Sequence, residues 1–246
     1  MTEQVRFEVS EHGGIDPCSE SPRFVAQHKA AYDFASGLAG ERVLEVGCGH
    51  GYGASQLARV FKEVVAIDLF PKNVAAAQAR YRQPNLRFLE MNATDLGFED
   101  ASFDLVVSFQ VIEHIPSAQL ERYLTEIRRV LKVGGAACLT TLNLGKVQKP
   151  GQPYRKSPHH DKEFYPEELR ELLSGFFPRV EMYGLYPTPK HLFFERLKKS
   201  ALLKMIPSRM NPVDTFYRSV TPGDFRWVRR KRLDRCEDSL GFCTKL

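Results

Sequence analysis

The chain has 246 residues, 43% hydrophobic and 26% charged, so it can bury one sizeable core with decorations rather than two independent domains. Its first residues contain no apolar leader, and no apolar run is long enough to cross a bilayer, which argues against secretion or membrane spanning. The five cysteines are scattered and form no Cys-x-x-Cys pair, which favours reduced thiols in a cytoplasmic protein over a disulfide scaffold or a zinc site.

The first elements are a helix, predicted from Ser21 to Ala35, and a buried strand that runs into a glycine-rich turn. The strand and turn read Val43-Leu44-Glu45-Val46-Gly47-Cys48-Gly49-His50-Gly51-Tyr52-Gly53. Glycine tolerates a positive φ and has no Cβ to hold a ligand away from the backbone N–H groups. The pattern therefore predicts a cofactor lying against this turn. The glycines alone also fit a nicotinamide fingerprint, as Gly49-x-Gly51-x-x-Ala54.

The next two predicted strands bring polar residues to the same edge of the sheet. The second strand is expected at 63–68 and ends in Asp68, whose carboxylate would face the glycine turn. A carboxylate there accepts the ribose hydroxyls of NAD or of S-adenosylmethionine (SAM) equally well. The third strand is expected at 86–89 and is followed by Asn92-Ala93-Thr94-Asp95.

Two more strands and a helix complete the central pattern. Residues 102–108 predict the fourth strand, and Phe109-Gln110-Val111-Ile112-Glu113-His114-Ile115 follows it. Apolar residues from Leu120 recur at helical spacing until Gly134-Gly135, which we expect to stop the helix before a fifth strand at 136–141.

Residues 41–141 resemble the class I SAM-dependent methyltransferases. The motifs are Glu-x-Gly-x-Gly-x-Gly from Glu45, the segment 92–98, and Leu-x-x-Ile-x-Arg-Val-Leu-x-x-Gly-Gly from Leu124. The spacing His28-x-x-x-Tyr32 is similar to small-molecule and glycan-type members, in which this helix closes over SAM. The resemblance implies SAM as cofactor and a Rossmann-like α/β fold, with a seven-stranded, mostly parallel sheet and an N-terminal lid helix.

The resemblance also implies which residues contact the cofactor. Glu45 would orient the glycine turn and the amino group of SAM, and Asp68 would hold the ribose diol. Asn92 would accept a hydrogen bond from the adenine amino group. The other expected cofactor residues are Gly47, Cys48, Gly49, Gly51, Leu69, Ala93 and Gln110. The alternative for Glu45 and Asp68 is simple capping of turns and helices.

Three histidines are candidate catalytic residues: His114 after the fourth strand, and His159 and His160 in the loop after the fifth. That loop continues into Pro166-Glu167-Glu168-Leu169, a pattern that precedes a helix in many family members. A neutral imidazole there could accept the proton of a hydroxyl acceptor. The alternative is that the His-Asp pair only caps and orients the chain.

The segment around His114 also bears on the substrate and on metals. It lacks the Asn/Asp-Pro-Pro-Tyr/Phe phrase of enzymes that methylate the exocyclic amines of bases. It is similar to the Glu-x-x-Glu-His metal site of quinone O-methyltransferases and small-RNA ribose methyltransferases, but Gln110 replaces the first Glu. The remaining Glu113 and His114, with His160 as a further ligand, make a poor magnesium site. We therefore predict no metal.

The last part of the chain is unusual for this family, in which strands six and seven pair as a hairpin. We expect them at 179–186 and 237–244, so residues 187–234 form an insertion over the sheet edge or the active-site mouth. Residues 190–235 carry thirteen Lys or Arg against four acids. An amphipathic segment at 192–206 fits contact with a membrane or an apolar substrate, or simple packing.

The insertion ends in Arg229-Arg230-Lys231-Arg232, here called the basic run, which with Trp227 could hold phosphates and stack on a base. Its plainer interpretation is a charged helix face or loop.

The sequence thus predicts one methyltransferase domain over 1–246. Its parts are an N-terminal lid region (1–40), a SAM-binding core (41–186 and 235–246) and the insertion (187–234). The expected acceptor is a hydroxyl on a small molecule, a sugar or a lipid-linked intermediate. The alternatives are methylation of RNA ribose through the basic insertion and a SAM-binding protein without catalysis. The sequence leaves the oligomeric state open.

Overall fold

The computed structural model describes residues 20–148, 153–154, 156–200 and 206–246. Within these ranges the strands of one sheet alternate with helices. The strands are β1 (Arg42–Val46), β2 (Glu63–Asp68), β3 (Leu86–Glu90), β4 (Phe103–Phe109), β5 (Leu131–Leu142), β6 (Arg179–Pro187), β7 (Phe225–Arg229) and β8 (Asp238–Thr244). The helices are α1 (Pro22–Ser36), α2 (Tyr52–Leu57), α3 (Pro71–Arg80), α4 (Leu120–Val130), α5 (Leu144–Val147), α6 (Pro166–Ser174), α7 (Pro189–Leu197) and α8 (Pro212–Arg218).

The sheet has the order β3-β2-β1-β4-β5-β8-β6-β7. Strands β1 to β5 are parallel, whereas β8 pairs antiparallel with both β5 and β6. The order reverses between β1 and β4, and α/β sheets bind ligands outside the carboxyl ends of the strands at such a point. The predicted Rossmann-like α/β fold is confirmed.

Side chains along the central strands point alternately to the two faces of the sheet, and an apolar layer forms on each face. Leu44 and Val65 belong to the layer that packs against α4 and α6, whereas Val43 and Val64 belong to the layer beneath α1, α2 and α3. Successive strand side chains point to opposite faces, and both faces are covered here. This explains why β1 and β2 read as continuous apolar runs.

The expectation of seven strands is wrong by one, because the insertion contributes a strand. β7 pairs antiparallel with the outer edge of β6. The predicted helix face or loop is therefore partly a strand. Trp227 lies within it, and its Nε1 donates a hydrogen bond to Ala30 O at 2.9 Å. The indole packs towards α1, so it is not presented to a base.

The prediction that Gly134-Gly135 stops a helix is wrong. α4 ends at Val130, and β5 begins at Leu131. The register of β5 against β4 shifts within this stretch. Gly134 has φ +79°, and a Cβ on Gly135 would lie 2.9 Å from Lys132 O. The glycines therefore form an irregularity inside the strand.

The insertion packs behind α1 and adds to the sheet edge. Ala26 and Ala30 of α1 form an apolar cluster with Leu185, Phe216 and Phe225. Of the amphipathic segment 192–206, residues 201–205 lie outside the described residues, as do residues 1–19 of the predicted lid region. Among the helices that the structure describes, none combines the length and apolarity required to cross a membrane.

Candidate functional site

A cavity of about 500 Å³ opens at the carboxyl ends of β1, β2 and β4. Helix α1 covers it with Phe24, Gln27, His28 and Tyr32. Eleven of the thirteen residues predicted from the sequence line it: Gly47, Cys48, Gly49, Asp68, Leu69, Asn92, Ala93, Gln110, His114, His159 and His160. The other two, Glu45 and Gly51, are not among the residues that line it.

The glycine turn is held by the end of β2. The N–H groups of Gly47 and Cys48 both donate to Ile67 O, at 2.8 and 2.9 Å, and Gly49 N donates to Asp68 Oδ2 at 2.8 Å. Gly47 and Gly49 have φ of +77° and +50°, the left-handed region that favours glycine. A side chain at Gly47 would also place its Cβ 2.4 Å from Val111 Cγ2. The turn thus needs glycine for conformation and for space.

Asp68 makes the hydrogen bonds that the capping alternative described, and it also lines the cavity. Besides Gly49 N, it accepts hydrogen bonds on Oδ1 from Phe70 N at 2.9 Å and from Asn73 Nδ2 at 3.0 Å. A carboxylate offers about four acceptor sites, so about one remains for a ribose hydroxyl. Burial raises the pKa of Asp68, and these hydrogen bonds oppose that rise. Asp68 therefore both anchors the turn and faces the cavity.

Glu45 does not orient the glycine turn, in contrast to the expectation. Its Oε1 accepts a hydrogen bond from Tyr32 OH at 2.6 Å, which ties α1 to β1. Burial, together with the charge of Asp68, raises the pKa of Glu45 to about 8, and the bond from Tyr32 opposes this. Glu45 Oε2 is buried with no hydrogen-bond partner among the described residues. A cationic amino group such as that of SAM would satisfy this oxygen, so the site fits the cofactor.

Gly51 has a packing role rather than a cofactor contact. It has φ +79°, and a Cβ there would lie 2.8 Å from the side chains of Ala77 and Phe88. Asn92 lines the cavity, but its Oδ1 already accepts hydrogen bonds from the backbone N and the hydroxyl of Thr94, at 2.9 and 3.0 Å. The expected bond from adenine to this oxygen would have to replace one of them.

The chain turns sharply after β4. Gln110 has φ +57°, a conformation that costs a residue other than glycine about 1–2 kcal/mol. Its N–H donates to Thr140 O at 2.9 Å, which fixes the turn against β5. The turn brings Val111 and the short 3₁₀ helix Ile112–His114 to the cavity.

The loop that carries His159 and His160 is pinned to this 3₁₀ helix. Asp161 N donates to Glu113 O at 2.7 Å, and Asp161 Oδ2 accepts from Ser117 N at 2.8 Å. His114 Nδ1 lies 2.8 Å from His159 O. Because a carbonyl oxygen only accepts, Nδ1 of His114 carries the hydrogen and its Nε2 is the basic nitrogen. His159 itself has an exposed side chain and acts here through its carbonyl.

His160 is paired with a carboxylate that the sequence did not identify as functional. Its Nδ1 lies 2.6 Å from Glu163 Oε1, and burial raises the pKa of Glu163. When Glu163 is ionised, it accepts a hydrogen bond from Nδ1, which leaves Nε2 as the basic nitrogen of His160. Burial, followed by the neighbouring His114 and His159, lowers the pKa of His160 to about 4. Burial also lowers the pKa of His114. Both imidazoles are therefore neutral at pH 7 and can accept a proton.

Three residues here could hold a metal ion, and we refer to Glu113, His114 and His160 as the carboxylate–histidine cluster. One ligand atom from each lies within 4.8 Å of the others. Glu113 is buried and its Oε2 has no hydrogen-bond partner in the described chain. Two imidazoles and one carboxylate suit zinc or a related ion better than magnesium. The sequence prediction of no metal stays a prediction.

Several residues at the cavity had no clear sequence signal. Gln27 lines it from α1, and Asp238 from the start of β8. Burial, followed by the charge of Glu237, raises the pKa of Asp238 to about 7. Only the pairing of β8 beside β5 brings Asp238 to this edge.

Comparison with known proteins agrees with the geometry. Residues 44–139 match a family model described as a methyltransferase domain. A probable S-adenosylmethionine-dependent methyltransferase of Mycobacterium tuberculosis is 36% identical over 166 residues, which are 67% of this chain and 59% of that protein. A fatty-acid O-methyltransferase of Mycolicibacterium smegmatis is 41% identical over 98 residues, 39% of this chain and 35% of that protein. The chain thus spans less than two thirds of the length of either relative.

A solved structure extends the likeness to nearly the whole fold. It is a SAM-dependent methyltransferase, possible histamine N-methyltransferase, from Thermotoga maritima, with 15% identity and a TM-score of 0.61. The superposition covers 92% of this chain and 91% of that chain. The chain therefore contains a SAM-dependent methyltransferase domain and has the class I methyltransferase fold.

Proposed function

We propose that this chain transfers a methyl group from SAM to a hydroxyl oxygen of an apolar, lipid-like acceptor. The observation that carries the proposal is the His160–Glu163 pair, of which His160 lines the same cavity as the glycine turn. A hydroxyl must lose its proton as its oxygen is methylated, so a positioned base is useful for an oxygen acceptor. Glu163 would hold the imidazole in the required tautomer and stabilise the imidazolium.

SAM, when bound, supplies an electrophilic methyl group, so that the acceptor oxygen forms the new C–O bond while the methyl–sulfur bond breaks and its electron pair stays on sulfur. His160 Nε2 takes the hydroxyl proton. The low pKa of His160 is compatible with this role, because a hydroxyl becomes strongly acidic as its oxygen is alkylated. The α1 side chains that cover the cavity would exclude water.

The apolar character of the acceptor is supported by the cavity wall. Phe24, Val111, Ile115 and Leu142 line it, and Phe24 is 40% exposed. An apolar chain lying against these side chains would bury surface worth roughly 25 cal/mol per Å². The similarity to a fatty-acid O-methyltransferase points in the same direction.

The test is transfer of radiolabelled methyl from SAM to a panel of a long-chain alcohol, a fatty acid, a monosaccharide and RNA. We expect a methyl ether of the alcohol. His160→Ala should lower turnover by about 10²–10⁴ without changing SAM affinity. His159→Ala should stay near the wild-type rate, because the contact of His159 with His114 uses its backbone. Label in RNA alone, or a wild-type rate for His160→Ala, would overturn the proposal.

A further inference from the structure

A second groove of about 670 Å³, here called the basic groove, is lined by residues of α1, α5, α7 and α8 and by Glu237 before β8. Three separate elements supply its cations: Arg23 from α1, Lys146 from α5, and Arg196, Lys198 and Lys199 at the end of α7. Glu195 and Glu237 are the acids that line it. The groove therefore has an excess of three positive charges.

The two acids are already engaged. Glu237 Oε1 lies 3.4 Å from Arg23 Nη2 and 3.1 Å from Lys146 Nζ, and Glu195 Oε1 lies 3.5 Å from Arg23 Nη2. Across the described ranges, neither Lys198 nor Lys199 forms an ion pair. Lys198 Nζ lies 4.7 Å from the centre of the Tyr217 ring. Cations that converge on a groove without anionic partners raise the local concentration of anions.

The basic groove adjoins the methyl-transfer cavity. Arg23 Nη1 donates to Gln27 Oε1 at 3.0 Å, and Gln27 lines the cavity. Glu237 of the groove and Asp238 of the cavity are consecutive residues. One elongated molecule lying over this shared wall could contact both sites.

We propose that the basic groove binds a phosphate group of an amphiphilic acceptor whose hydroxyl enters the methyl-transfer cavity. This rests on the function proposed above and adds a charged end to the acceptor. Lysine is a point-charge ligand for phosphate, so Lys198 and Lys199, which form no ion pair across the described ranges, would hold the group. Leu192 and Tyr217 line the same groove and supply surface for the adjoining hydrocarbon.

Binding can be measured without turnover, with octyl phosphate, inorganic phosphate and octanol as probes in calorimetry. The wild-type chain should bind octyl phosphate more tightly than either of the other probes. The double variant Lys198→Gln/Lys199→Gln should weaken octyl phosphate binding roughly tenfold. The matched control, Lys231→Gln/Arg232→Gln, removes two exposed charges outside the groove. It should change the affinity for octyl phosphate less than about twofold.

Equal weakening by both double variants would overturn the proposal, because it would indicate a general effect of charge. No binding of octyl phosphate, or equally tight binding of inorganic phosphate, would also overturn it, since the latter would assign the groove to free phosphate. Failure of the proposed function is distinguishable, because it would appear as absent methyl transfer while octyl phosphate still binds.

Discussion

Replacing Asp68 tests how the cofactor turn is held together. The carboxylate accepts hydrogen bonds from Gly49 N, Phe70 N and Asn73 Nδ2 at 2.8, 2.9 and 3.0 Å. Each hydrogen bond to a charged group contributes about 1.5–3 kcal/mol, but water entering the space left by alanine would satisfy some of the donors. We therefore expect Asp68→Ala to lower the free energy of unfolding, measured in urea, by about 3–5 kcal/mol.

The same change should weaken SAM binding in calorimetry by about tenfold to more than a hundredfold, because the turn loses its anchor and a ribose hydroxyl loses its acceptor. Asp68→Asn is the matched control. Its amide oxygen keeps the bonds from Phe70 and Asn73, whereas its NH₂ group faces the N–H of Gly49, so the stability loss should be about 1.5–3 kcal/mol. Wild-type stability and SAM affinity in Asp68→Ala would refute this reasoning. Tight NADH binding without SAM binding would refute the cofactor assignment.

Four further outcomes are expected. Gly53→Ala places a Cβ 2.0 Å from the Tyr32 ring, so α1 must shift. Thermal melts should show about 1–3 kcal/mol of lost stability. The control is Gly223→Ala, because a Cβ there meets nothing within 3.5 Å. The raised pKa of Glu45, about 8 against 4.5, means that the folded state holds a proton which the unfolded chain releases. The stability that this proton contributes is therefore present below pH 4.5 and is lost as the pH rises through 8. Glu45→Gln should flatten this decline in the free energy of unfolding, measured by urea titrations at a series of pH values. An unchanged slope of the free energy against pH would contradict this. Methyl transfer should persist in EDTA; a loss that zinc restores would assign a metal to the carboxylate–histidine cluster. RNA affinity should lack a steep salt dependence, and a steep log-linear slope abolished by neutralising the basic run would favour the RNA alternative.

Local features of the sequence were sufficient to predict the cofactor edge of the fold. Gly47 and Gly49 occupy conformations that favour glycine, and Asp68 ends the strand that the apolar run predicted. The helix expected from Ser21 begins at Pro22, and the Ser21 hydroxyl accepts a hydrogen bond from Phe24 N. Such signals depend on residues that are close in sequence, so composition and spacing contain them.

Contacts between distant residues were decided only by the tertiary structure. The bond between Tyr32 and Glu45, the cavity position of Asp238 and the pairing of β7 with β6 each depend on how separate elements pack. Glu163 lies only three residues from His160, yet its role depends on burial and on the pinning of the loop to the segment after β4. A sequence sets the chemistry that each side chain can perform. The packing of non-adjacent segments sets which groups meet and how far water is excluded from them, and hence which proton each holds.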